Sequence, residues 1–147
     1  MVKIRLTDRA FDPWQEIARH QSGQPALAGK FGATAVFVGT LRDFNQGDAV
    51  QAMTLEHYAP MTQKYLERVA QEAQGRWPVE DVLLIHRYGE LRPNDPIVCV
   101  AVWAAHRDSA FDACRYLIDE LKTRAPFWKQ ELTPQGRRWV TPEAGEP

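Results

Sequence analysis

The groups best suited to chemistry in this chain are basic residues at the ends of regular segments. His106-Arg107 follows an apolar run, Ile97 to Ala105, and precedes a stretch of helical spacing. The first N–H groups of a helix lack partners and carry partial positive charge, so a His and an Arg placed there suit an anion such as phosphate. A solvated Arg beside a surface His would show the same spacing. Arg42 ends another apolar run, where it either reaches that anion or is an exposed strand-end charge.

A second cluster is Lys122-Thr123-Arg124-Ala125-Pro126-Phe127-Trp128-Lys129. From Lys122 to Arg138 there are five basic residues (Lys122, Arg124, Lys129, Arg137, Arg138) and one acid, Glu131, so five minus one gives a local +4. Lys122 has an ordinary task in a last helical turn, where a cation offsets the dipole by ~0.3–1 kcal/mol. Lys129 follows two aromatics against which its stem could lie. Lost hydration and neighbouring cations both lower a lysine pKa, which would make it a base or nucleophile near neutral pH. Plain solvation of both lysines is the alternative.

Other signals are missing. There is no Gly-x-Gly-x-x-Gly, Walker loop, Cys-x-x-Cys or His-Glu-x-x-His, and His20, His57, His86 and His106 are too scattered to nominate a metal site. Cys99 and Cys114 lie within apolar runs, which reads as packing thiols in a reducing compartment. Glu56-His57 could pair as acid and base, but neighbours on a strand point to opposite faces.

The elements that must position these groups follow from periodicity and punctuation. Residues 1–6 alternate apolar and basic, as a half-buried strand does. Pro13 follows Asp12 as a helix N1 residue follows its cap, and Pro60 opens a helical pattern of Met61, Tyr65, Leu66, Val69 and Ala73 that reads as capped at Gly75. Strands are expected at Ala33–Leu41, Val50–His57, Asp81–Tyr88 and Ile97–Ala105, with turns at 43–48 and 89–96. The last of these strands is apolar on both faces and so is expected at the centre of a sheet. Ser109 and Asp112 read as a capping box for a helix burying Ala110, Cys114, Leu117, Ile118 and Leu121, which Lys122 closes. Short strands near Gln130–Leu132 and Arg138–Val140 finish an α+β chain with two principal helices and a mainly antiparallel sheet.

Composition sets the class. The 147 residues are 44% hydrophobic and 25% charged, with 18 Lys+Arg against 19 Asp+Glu and a net charge of -1. That excludes a disordered chain and a disulfide scaffold, and it gives no whole-chain attraction to nucleic acid or an anionic membrane. No apolar run approaches the ~20 residues of a membrane span. One domain over residues 1–140, a tail at 141–147 and a cytoplasmic location are expected.

Four motifs, taken together, carry a resemblance. Thr54-Leu55-Glu56-His57-Tyr58, Ile85-His86-Arg87-Tyr88-Gly89-Glu90-Leu91, Ala105-His106-Arg107 and Leu121 to Lys129 occur in this order. Over about residues 33–139 the chain resembles the MoaE family, the large catalytic subunits of molybdopterin synthase, and the resemblance implies their α/β-hammerhead fold. It also implies a homodimer within a heterotetramer, with a small ubiquitin-like sulfur carrier whose Gly-Gly C-terminus is a thiocarboxylate. The reaction implied is transfer of two sulfurs to cyclic pyranopterin monophosphate, forming the molybdopterin dithiolene without a metal or cofactor of the subunit's own. By the same resemblance Lys122 and Lys129 are catalytic, while Arg42, His106, Arg107 and Arg138 bind the substrate. Ile118 departs from the methionine of some members, a swap of similar volume that should alter packing more than chemistry. Two other readings use the same residues: a regulatory module binding a phosphorylated metabolite, and single-stranded nucleic-acid binding along the aromatic, basic stretch around Phe127, Trp128 and Trp139.

Overall fold

In the computed structural model, residues 2–57 and 59–140 are described; Tyr58 and the expected tail at 141–147 lie outside them. The alternating N-terminus forms β1 (Val2–Thr7). Asp12 caps α1 (Pro13–Ser22), its Oδ1 accepting from Trp14 and Gln15 N–H at 3.0 and 3.3 Å, with Pro13 at N1 as expected. Then come β2 (Ala33–Thr40), a hairpin of β3 (Phe44–Asn45) and β4 (Asp48–Ala49), and β5 (Ala52–His57). The second half runs α2 (Ala59–Arg76), β6 (Val79–Arg87), β7 (Gly89–Leu91), β8 (Pro96–Ala104), α3 (Arg107–Thr123), β9 (Phe127–Thr133) and β10 (Gly136–Val140).

These strands make two four-stranded sheets, ordered β1-β6-β8-β2 and β10-β9-β5-β7. All pairs are antiparallel except β1 with β6. β8 is central, and its period of two feeds two cores. Val98, Val100, Val102 and Ala104 pack with Leu66, Val69, Leu117 and Leu121 of α2 and α3, whereas Cys99, Ala101 and Trp103 pack beneath α1. α1 is further tied down by His20 Nε2 donating to Asp81 Oδ2 at 2.8 Å and Trp103 Nε1 donating to Gln21 Oε1 at 3.0 Å. A third core of Leu41, Met53, Leu55 and Leu91, with Tyr88, Ile97 and Phe127 against it, joins the two sheets.

Several local expectations are corrected. The turn at 43–48 holds the β3–β4 hairpin, whose corner residues Gln46 and Gly47 both have left-handed φ (53° and 82°), as a tight hairpin turn of this twist requires. Part of the 89–96 turn is β7, which leaves the first sheet to pair with β5 in the second. Gly75 does not end α2: the helix runs to Arg76, Trp77 N–H still bonds to Ala73, and Pro78 follows. Ser109 does not cap α3, which begins two residues earlier behind an extended His106 that lends no side-chain bond. The strands foreseen at 130–132 and 138–140 are longer, forming the β9–β10 hairpin. α1, the helix expected after Asp12, stands beside the two principal ones.

Candidate active site

α3 and β9 bring the two lysines to one place. The apolar face of α3 (Ala110, Ala113, Cys114, Leu117, Ile118, Leu121) is buried, which leaves Lys122 half-buried in the last turn. Pro126 bars the helix from continuing, and β9 starts at Phe127. On that strand Phe127, Lys129 and Glu131 share the face turned toward the third core, opposite Trp128 and Gln130. Lys129 pairs in register with Leu55 of β5 and Val140 of β10.

Lys122, Lys129 and Arg42 all line one cleft of about 310 Å³. Arg42 lies just beyond β2, whose pairing with β8 shifts register between Gly39 and Thr40. Gly39 permits the close approach, since a Cβ there would come within 2.7 Å of Val98 Cγ1. Phe37, Met53, Ile97 and Val140 give the cleft an apolar wall, and Phe44 carries the Arg42 guanidinium 5.0 Å from its ring centroid. The lining holds three cations, Lys122, Lys129 and Arg42, against one anion, Glu131. A hollow of that size, lined by cations, is within the range that holds a small anionic molecule.

Glu131 escaped the sequence reading except as one acid among five bases. It is only 4% exposed, and its carboxylate accepts from Asn45 Nδ2 at 3.2 and 3.1 Å and from Arg138 Nε at 3.1 Å. Its signal was position: on a strand, residues two apart share a face, so Lys129 and Glu131 had to point together. Arg138 also donates to Asp48 Oδ2 at 2.7 Å and to the Asn45 carbonyl at 3.0 Å, so each of its three guanidinium nitrogens has one protein acceptor.

Behind the lysines lies an aromatic stack. His86, buried at the end of β6, stacks on Phe127 with centroids 4.0 Å apart at 15°, and His57 flanks both Phe127 and Tyr88 at 5.7 and 4.5 Å. The His86 Nδ1–H donates to Arg87 C=O at 2.8 Å, which fixes the tautomer. Burial pushes the His86 pKa down to about 3 against that hydrogen bond, and the charges of Lys129 and Lys122 press the same way. His57 is lowered by burial too. Both thiols are pushed up by burial, Cys99 to about 12 and Cys114 to about 11, so neither is a ready nucleophile.

His106 and Arg107 are not part of this cleft. Both are exposed at the start of α3, and the helix from 107 to 122 sets Arg107 about 22 Å from Lys122.

This arrangement has relatives. The family model described as MoaE protein matches residues 6–124. The chain belongs to the MoaE family. The match starts earlier than the motifs suggested and stops short of Lys129, but a molybdopterin synthase catalytic subunit of Ralstonia nicotianae is 49% identical over 140 residues, covering 95% of this chain and 77% of its own. The Escherichia coli catalytic subunit is 56% identical over 109 residues, 74% of this chain and 73% of its own. Among solved structures, a molybdopterin biosynthesis MoaE protein from Burkholderia ambifaria superposes with a TM-score of 0.80 at 48% identity, covering 99% of this chain and 93% of that one. A complex of subunits 1 and 2 of molybdopterin-converting factor from Helicobacter pylori shares the MoaE fold, with a TM-score of 0.75 at 22% identity over 97% and 92% of the two chains.

Proposed function

We propose a division of labour among the residues of this cleft for the reaction of a MoaE-family enzyme. The chain is a catalytic subunit of molybdopterin synthase, a sulfurtransferase of molybdenum-cofactor biosynthesis that works with a small subunit. The small subunit is a ubiquitin-like carrier whose C-terminal Gly-Gly thiocarboxylate enters the cleft, and the acceptor is cyclic pyranopterin monophosphate. Sulfur arrives on the carrier, in keeping with buried thiols whose pKa values are raised.

The meeting of Lys122 and Lys129 on one cleft carries this reading. Thiocarboxylate and phosphate are both anions, and two like charges 4 Å apart repel by about 1 kcal/mol in water and about 4 kcal/mol at an effective dielectric of 20. Lys122, at the helix end, binds and polarises the thiocarboxylate. Lys129 serves as acid or base while the thiocarboxylate sulfur bonds to the pterin and an oxygen leaves it. Water then adds to the acyl carbon of the resulting thioester, both ammonium groups stabilise the oxyanion, and C–S cleavage leaves sulfur on the pterin and a carboxylate on the carrier. Arg42, on the same cleft, holds the phosphate.

His106 and Arg107 can join this site only from a second copy, because α3 holds them at its other end. A groove beside α3 supports that arrangement. It is lined by Ala35, Val36, Phe37, Phe111, Cys114 and Ile118, reaches Lys122, and leaves Phe111 65% exposed next to the edge strand β2. A copy packed antiparallel across this face sets its His106 and Arg107 beside this chain's Lys122, completing the phosphate pocket within a homodimer. The heterotetramer follows when each copy takes one carrier. We place the assembly in the cytoplasm, where free thiols persist.

The test is Lys122→Ala. The expected protein folds and binds its carrier but makes no dithiolene from thiocarboxylated carrier and cyclic pyranopterin monophosphate. Near-normal product from the folded variant would reject the role of Lys122.

A further inference from the structure

We propose that Arg138 is a positioning residue: through Asp48, Asn45 and Glu131 it clamps the β3–β4 hairpin against β9 and so holds Arg42 and Phe44 as one wall of the cleft. For catalysis the proposal rests on the cleft being the sulfur-transfer site. For the clamp itself it needs only the contacts.

The hairpin cannot hold its place through its own bonds. It has two residues per strand, Phe44 opposite Ala49 and Asn45 opposite Asp48, and short two-stranded hairpins are marginal in water. Its base is fixed by buried Leu41 and Val50 and by Gln51 N–H donating to Leu132 C=O at 2.8 Å, but burial does not hold its tip, where Phe44 is 54% exposed. The side-chain bonds of the tip converge on one guanidinium. Arg138 extends from β10 and sends Nη1 to Asp48 of β4 at 2.7 Å, Nη2 to the Asn45 carbonyl of β3 at 3.0 Å and Nε to Glu131 of β9 at 3.1 Å. Asn45 Nδ2 closes the circuit onto both oxygens of Glu131. Three nitrogens of one planar fork thus meet three acceptors on three strands, which a lysine ammonium on its flexible stem does not reproduce. A buried carboxylate such as Glu131 must be compensated, so the network stabilises itself as well as the hairpin. These bonds commit three of the five guanidinium N–H donors and fix the plane of the fork toward the hairpin. That favours a supporting role over the direct substrate contact that the family resemblance suggests.

The experiment compares full-length wild type with Arg138→Ala, Arg138→Lys, Asp48→Asn and the Asp48→Asn/Arg138→Ala double variant. Hydrogen–deuterium exchange mass spectrometry reads residues 41–51, with residues 98–102 of β8 as an internal control of folding. Turnover with thiocarboxylated carrier and cyclic pyranopterin monophosphate reads KM and kcat. Exchange in the hairpin should rise about tenfold in Arg138→Ala and Asp48→Asn while β8 stays protected, as expected from losing charge-assisted bonds. The pterin KM should rise with it by about tenfold, kcat should change less, Lys should not rescue, and the double variant should be no worse than Arg138→Ala. Unchanged hairpin exchange in Asp48→Asn would overturn the clamp. So would a pterin KM that rises in Arg138→Ala but not in Asp48→Asn, because a direct phosphate ligand does not need Asp48. If Arg138→Ala fails to fold, Asp48→Asn still decides the matter. If wild type forms no dithiolene, the sulfur-transfer reading fails, and exchange alone judges the clamp.

Discussion

Replacing His86 by leucine should remove much of the protein's sensitivity to mild acid. In the folded chain the imidazole is buried against Phe127, keeps its proton on Nδ1 for the Arg87 carbonyl, and has a pKa pushed down to about 3 from 6.5. As pH falls below 6.5, the unfolded chain takes up a proton at this residue and the folded chain does not. Stability is therefore complete above the unfolded value and is lost progressively down to the folded one. Between pH 7.5 and pH 5 this one group should remove about 2 kcal/mol from the unfolding free energy, since each unit of separation is worth about 1.4 kcal/mol. The assay is urea unfolding of wild type and His86→Leu at both pH values. The substitution also deletes a hydrogen bond worth about 1 kcal/mol, but that loss is common to both pH values and cancels in the comparison. With an m-value of about 2 kcal/mol/M, the wild-type midpoint should drop by about 1 M more than the variant's on acidification. Equal drops would show that His86 already titrates normally in the fold, and the argument from burial would be wrong.

Other tests address the cleft and its frame. Lys129→Ala should lower the single-turnover rate by about 10²-fold or more while carrier binding is largely kept, and an unchanged rate would remove Lys129 from the chemistry. Lys122→Ala and Arg107→Ala subunits, each inactive in dithiolene formation, should recover part of the activity when mixed and reassembled, because a hybrid dimer holds one site with both residues intact. No recovery in a verified hybrid would mean that the two residues do not meet across the subunit boundary. Asp12→Ala should destabilise the chain by about 1 kcal/mol in chemical unfolding by removing the α1 cap, with little effect on turnover.

Much of the frame was legible because it depends on local rules. Asp12-Pro13 announced α1, and the two-sided apolar run at 97–105 announced the central β8 with a core on each face. The failures lie where tertiary pairing overrides a local pattern. Ser109 and Asp112 form a good capping pair, yet α3 starts at Arg107, as soon as β8 ends and His106 is extended. β7 is three residues long, too short for any period to show, and it exists because β5 offers it an edge. The division into two sheets was likewise invisible, since it depends on where the chain crosses after Arg87.

The site shows the same contrast. Lys122 and Lys129 are seven residues apart, and their convergence follows from a helix stopped by proline before a strand. Arg42 is eighty residues upstream of Lys122, and no local periodicity encodes that the two share a cleft. Charge summed along the sequence was a poor guide to charge in space. The +4 from Lys122 to Arg138 includes Arg138, whose partner Asp48 is 90 residues away, and Arg124, which lies 3.8 Å from Glu120. The cleft instead gathers Lys122 and Lys129 with Arg42, from outside that stretch, beside Glu131: three cations against one acid, an excess of two that is smaller than the linear count and better localised. For two anionic reactants localisation is what counts, because screening in water confines a cation's help to the few ångströms where thiocarboxylate and phosphate must meet.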